Sequence, residues 1–158
     1  MGKNDIEKVE QVILGIVQSK LAAKVAEINT DKGGDALLVD IETKNYLSDL
    51  YQEELTPSLF ILYGIKEPEL QSPGCDSAET WVIFYYIFIQ DKNNLGTLRS
   101  KIFRYTRALK EIINENCRKI ARHCSNPQIS TLTPQDLEPI NNDTPFKMGG
   151  IEFKITLS

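Results

Sequence analysis

Residues 81–90, Trp-Val-Ile-Phe-Tyr-Tyr-Ile-Phe-Ile-Gln, decide the fold class. Aromatic and β-branched side chains fit a pleated surface better than a helix. In an extended chain Trp81, Ile83, Tyr85, Ile87 and Ile89 fall on one face and Val82, Phe84, Tyr86 and Phe88 on the other. A run that is apolar on both faces, yet far shorter than the roughly 18 residues that cross a bilayer, predicts the central strand of a sheet.

Reading downstream, Asp91 to Asn94 offer turn and N-cap residues, and Leu95, Leu98, Ile102, Tyr105, Leu109 and Ile112 then recur every three or four positions. That spacing predicts an amphipathic helix whose stripe packs on the sheet. Upstream, Leu59, Ile61 and Tyr63 alternate with Phe60 and Leu62 after Pro57, a second interior strand that Gly64 is expected to stop. Between the two strands, Glu67 to Glu79 form an acidic polar loop.

At the start, Asp5 can cap a helix carrying Ile6, Val9, Ile13, Ile16 and Val17, with so narrow a polar strip that most of it should be covered. Its pattern fades at Ile28, the cluster Asp31-Lys32-Gly33-Gly34-Asp35 turns, and Ala36 to Ile41 suggest a short strand; Tyr46 to Glu54 are too mixed to assign. Beyond Arg122 a short extended piece near Gln128 to Leu132 precedes Pro134, Pro139 and Pro145, which exclude a long helix. Gly149-Gly150 should turn the chain into Ile151, Phe153, Ile155 and Leu157, which alternate with polar residues in a half-buried strand. The expectation is one α/β (α+β) domain over residues 1–158, a mostly antiparallel sheet with two main helices on one side.

A length of 158 residues and 41% hydrophobic content suit a globular chain that needs no disulfide scaffold. Cys75, Cys117 and Cys124 form an odd set, expected to be free thiols in a reducing compartment, and the polar start lacks a secretory pattern. The net charge of −4 hides a segregation: residues 1–91 sum to −9, whereas residues 92–123 sum to +7. Such a chain can dock like copies head to side, or neutralise itself within the fold.

Catalytic chemistry finds no anchor. The single histidine, His123, has no Gly-x-Ser-x-Gly context, and neither glycine doublet belongs to a phosphate-binding finger. His123, Cys124 and Cys117 lack the paired spacing of a zinc site, so no catalytic residue, metal or cofactor is assigned. Arg99, Arg107, Lys110 and Arg118 share the outer side of the second helix, a row that could meet phosphate. The acidic whole and the apolar setting of the aromatics argue against a sequence-reading nucleic-acid module. Phe103 breaks the row: a benzyl group among cations is either an interface anchor or covered by another segment of the chain. Arg99, Phe103, Arg104, Arg107 and Lys110 are therefore the candidate partner-binding residues.

Taken in order, the elements are a first helix, the strand entry Thr-Pro-Ser-Leu-Phe-Ile-Leu-Tyr-Gly at 56–64, and the aromatic strand ending in Gln-Asp. A helix of form Leu-x-x-Leu-x-x-x-Ile-x-x-Tyr-x-x-x-Leu, a Pro-rich crossing and a C-terminal strand follow. This order resembles the tail terminator (tail completion) proteins of long-tailed bacteriophages and prophages. The resemblance implies a virion protein at the tail–neck junction, assembled in the host cytoplasm. It would form a ring, usually a hexamer, that stops growth of the tail tube and joins the tail to the neck. Its implied partners are its own copies, the tail tube protein and a neck or head-completion protein, with the tail sheath as a further candidate; neither membrane nor sequence-specific nucleic acid is among them. Another neck, connector or sheath-stabilising component and a small nucleic-acid-binding module stay open as alternatives.

Overall fold

The carboxylate of Asp5 accepts the Lys8 amide at 2.8 Å, satisfying one of the N–H groups that every helix start leaves over. Helix α1 then runs Ile6–Lys32. The computed structural model describes residues 5–47, 57–65, 79–90, 95–137 and 146–157. Helix α1 continues past Ile28 and closes at Gly33, whose φ of 54° suits glycine and whose amide bonds the Asn29 carbonyl. Val9, Ile13, Val17, Leu21, Val25 and Ile28 form its buried stripe, while Ile6, Leu14 and Ile16 are only half-buried. The helix is thus covered on one face, against the expectation of near-complete cover, because it leans on a second helix and leaves its other sides exposed.

Residues Ala36 to Ile41 are extended but do not join the sheet. Side chains take the place of a neighbouring strand: the Asn29 amide donates to the Leu38 carbonyl and its oxygen accepts the Leu38 N–H, both at 2.8 Å. The Tyr105 hydroxyl accepts the Val39 N–H and donates to the Val39 carbonyl. Within the segment Ala36, Leu38 and Ile41 are buried and Leu37 and Val39 exposed. Its cause is packing against helices rather than pairing in a ladder.

The strands are β1 (Tyr46–Leu47), β2 (Ser58–Ile65), β3 (Glu79–Gln90), β4 (Ser125–Leu137) and β5 (Phe146–Leu157). They form one sheet in the order β1-β2-β3-β5-β4, antiparallel except for the β1–β2 pair. The aromatic strand β3 lies at the centre, and β2 lies inside the sheet and runs on through Gly64 to Ile65. The expected extended piece near Gln128 is the full strand β4, with Pro134 inside it at an edge where a missing N–H costs little. Asp91 to Asn94, residues 48–54, most of the acidic loop, Cys75, Pro139 and Pro145 lie outside the described residues.

Helix α2 (Leu98–Glu115) packs across β3, β5 and β4. Leu98, Ile102, Tyr105, Leu109 and Ile112, the stripe read from spacing, are all buried. They meet Ile83, Tyr85, Ile87 and Ile89 of β3 and Ile151, Phe153, Ile155 and Leu157 of β5 in one core with α1. The architecture is α+β, with both main helices on one side of the sheet.

The doublet Gly149-Gly150 does not turn the chain but sits within β5. A Cβ at Gly149 would collide with Cγ2 of Ile102, so the missing side chain is what lets α2 approach the strand. At Gly150, φ is 147° and a Cβ would run into the Tyr85 carbonyl. After Glu115 the helix breaks at Asn116, whose buried amide donates to the Ile112 carbonyl at 2.8 Å, and a short helix α3 (Cys117–Ile120) follows. Arg118 therefore leaves the row predicted for one continuous helix.

Candidate interaction surface on the second helix

With its apolar stripe committed to the sheet, α2 turns Arg99, Phe103 and Lys110 outward. Phe103 is 45% exposed, an unusual state for a large apolar side chain in the middle of a helix. The Arg99 guanidinium lies 5.5 Å from the centre of its ring, a cation–π arrangement that holds the two side chains as one unit. Lys110, two turns further on, is exposed and has no ion pair among the described residues.

The other two candidates are engaged within the fold. Arg104 donates to the Ala36 carbonyl at 2.6 Å and so ties α2 to the segment after α1. Arg107 bonds Glu111 at 2.6 Å and Asp31 at 2.8 Å, bridging the basic helix to the acidic end of α1. These contacts hold the Asp31 and Glu111 carboxyls below the usual carboxylate range, with the hydrogen bonds from Arg107 as the main cause. The row read from the sequence thus divides: Arg99, Phe103 and Lys110 are available to a partner, while Arg104 ties α2 to the segment after α1 and Arg107 ties it to α1 itself.

The segregated charge is neutralised within the fold in part. Lys24 of α1, with its side chain 9% exposed, sits among Glu27 at 3.0 Å, Glu111 at 3.6 Å and Glu115 at 2.7 Å. The hydrogen bonds it donates to Glu115 and then Glu27 outweigh desolvation and raise its pKa. Arg118, Lys119 and Arg122 remain exposed without an ion pair among the described residues, so positive charge survives at the end of α2 and beyond.

Between α2 and the edge strand β4 lies an open groove of about 400 Å³, bordered by Phe103, Thr106, Arg107, Lys110, Asn114 and Thr131. Thr106 is 4% exposed, and its hydroxyl has no hydrogen-bond partner among the described residues. Periodicity could not reveal this residue, because its position matters only once β4 lies beside the helix. A wider cleft of about 510 Å³ is lined by Gln18, Asp40, Glu42, Lys44 and Tyr46 among others. There Glu42 is paired to Lys44 at 2.9 Å, and burial pushes the Tyr46 hydroxyl up to about 12.

The second face of the sheet carries Val82, Phe84, Tyr86 and Phe88, of which Val82 and Phe88 are buried. On it the rings of Phe84 and Tyr86 stack at 5.8 Å with a 7° interplanar angle, and Phe88 follows at 6.3 Å from Tyr86. The signal for this face was present in the double apolar pattern of residues 81–89.

Cys117 is exposed and Cys124 buried, and both are free; burial pushes the Cys124 thiol up to about 11. Among the described residues no cluster of His, Cys, Asp and Glu could hold a metal ion, and no helix is long and apolar enough to cross a membrane. No protein-family model matches the sequence, and the search of curated proteins found no significant match.

Proposed function

We propose that this chain is a structural subunit that works through protein–protein assembly, and that it serves as a phage or prophage tail terminator. The observation that supports the reading is the exposed Arg99–Phe103 pair on a helix whose inward face is already spent on the core. An aromatic anchor rimmed by cations suits a protein partner with an acidic surface. Copies that present this helix to an acidic region of the next copy make heterologous contacts, which close into a ring when the rotation permits. The tail-terminator assignment itself comes from the order of elements, and with it come a hexameric ring, the tube end as one partner and the neck as the other.

The nucleic-acid alternative draws less support. The stacked aromatics on the second sheet face could receive bases, but Glu152 stands opposite Phe84 and Lys154 opposite Val82, so the two charges offset each other and leave no surplus to hold a phosphate backbone there.

Light scattering coupled to size exclusion, at low and moderate salt, tests the assembly. The expected result is a defined oligomer that Phe103→Ala and Arg99→Glu weaken while circular dichroism stays unchanged. A strict monomer, even with tail tubes supplied, refutes it. Deleting the gene should leave heads and tube protein intact but tails unjoined and often overlong; normally joined, normal-length virions in electron micrographs would exclude the terminator role.

A further inference from the structure

Strand β4 forms one edge of the sheet, paired to β5 on one side and to no described strand on the other. An edge presents a row of unpaired N–H and C=O groups, which proteins commonly protect with charged side chains, prolines or bulges. Here Pro127 and Pro134 stand near register shifts at Ser125/Gln128 and Leu132/Gln135. Between them Gln128 to Leu132 pair with β5 in unbroken register and carry no charged residue. The edge is guarded at both ends and open in the middle. Thr131, in that open stretch, also borders the groove beneath α2, and Gln128, Ser130 and Thr131 are exposed.

We infer that the groove between α2 and β4 receives an extended segment of a partner protein, which adds a strand to β4 along Gln128 to Leu132. The backbone of that segment completes the open ladder, and every second side chain drops into the groove. Phe103 supplies the apolar contact there. Thr106 and Thr131 border the groove beside it, so the incoming side chains meet small residues there.

Charge selects the occupant. Of the ionisable groups on the groove wall, Arg107 and Glu111 neutralise each other, while Lys110 has no ion pair among the described residues. The segment therefore carries an apolar residue against Phe103 and an acidic residue two positions along, about 7 Å away on the same face of the strand, within reach of the Lys110 ammonium. The inference rests on the reading of α2 as a contact surface, and not on ring formation.

The test pans a library of random nine-residue peptides against the intact chain, measures the enriched peptides by fluorescence anisotropy and maps them by amide hydrogen exchange. The expected outcome is enrichment of an apolar–x–acidic pattern, new protection at the amides of residues 128–132, and at least tenfold weaker binding to Phe103→Ala and to Lys110→Glu. Circular dichroism of both variants shows that they remain folded. An empty selection overturns the inference, as do peptides that bind Phe103→Ala undiminished and protection that falls on the aromatic face of β3. If the isolated chain already protects residues 128–132 in a concentration-dependent way, a second copy is the occupant and the inferred partner is wrong. A ring that forms and depends on Phe103 while no peptide binds would leave the assembly reading standing and remove strand addition alone.

Discussion

Replacing Gly149 by alanine tests the close approach of α2 to β5. The new Cβ would overlap Cγ2 of Ile102, which is fully buried in the second turn of α2. Overpacking of this kind costs about 1–3 kcal/mol. Alanine also restricts the unfolded chain, which offsets about 0.4–1 kcal/mol. With so deep an overlap the net loss should be about 2 kcal/mol, or about 4–8 °C in Tm for a chain of this size. Ile102→Ala alone removes the colliding atom but opens a cavity, at about 2–5 kcal/mol. In the double variant the added methyl meets no Cγ2 and partly fills that cavity, so the combined cost should fall short of the sum by about 2 kcal/mol. Urea melts of the four proteins followed by circular dichroism measure the cycle. Additivity to within about 0.5 kcal/mol would refute the account of why glycine stands in β5.

Two further outcomes follow from contacts that hold the helices. Tyr105→Phe leaves both the N–H and the carbonyl of Val39 without their partner and should cost about 1–2 kcal/mol in thermal melts; an unchanged melt would mean that water replaces the hydroxyl at no cost. Because Arg107 lowers the Asp31 and Glu111 carboxyls in the folded state, the stability they contribute is in place above the ordinary carboxyl pKa of about 4. It is lost as pH falls through the lower folded values. Arg107→Gln should therefore lower stability at neutral pH and flatten its decline below about pH 4, as read from denaturant midpoints across that range; parallel profiles for the two proteins would show the pairing to be energetically silent.

The fold was largely legible because its elements depend on local periodicity. Asp5 caps α1, residues 81–90 form the central strand, and the stripe from Leu98 to Ile112 is buried, since each follows from which side chains share a face. Ala36 to Ile41 misled because a short apolar run reports burial, whatever supplies the cover; the amide of Asn29 and the hydroxyl of Tyr105 are nine and more than sixty residues distant. The glycine doublet misled for a related reason. Local rules place Gly-Gly in a turn, but here it makes room for Ile102 of another element.

Of the candidate surface, sequence alone determined its charge and its aromatic residue, because the outer positions of a helix follow from the inner ones. It could not determine which cations are free. Arg99 and Arg107 occupy equivalent outward positions, yet one stacks on Phe103 and the other is held by Asp31, because only the docking of α1 against α2 brings that carboxylate within 2.8 Å. The groove with Thr106 and Thr131 exists only because β4 returns beside β5 at the edge nearest α2, a long-range pairing that no local pattern of residues encodes.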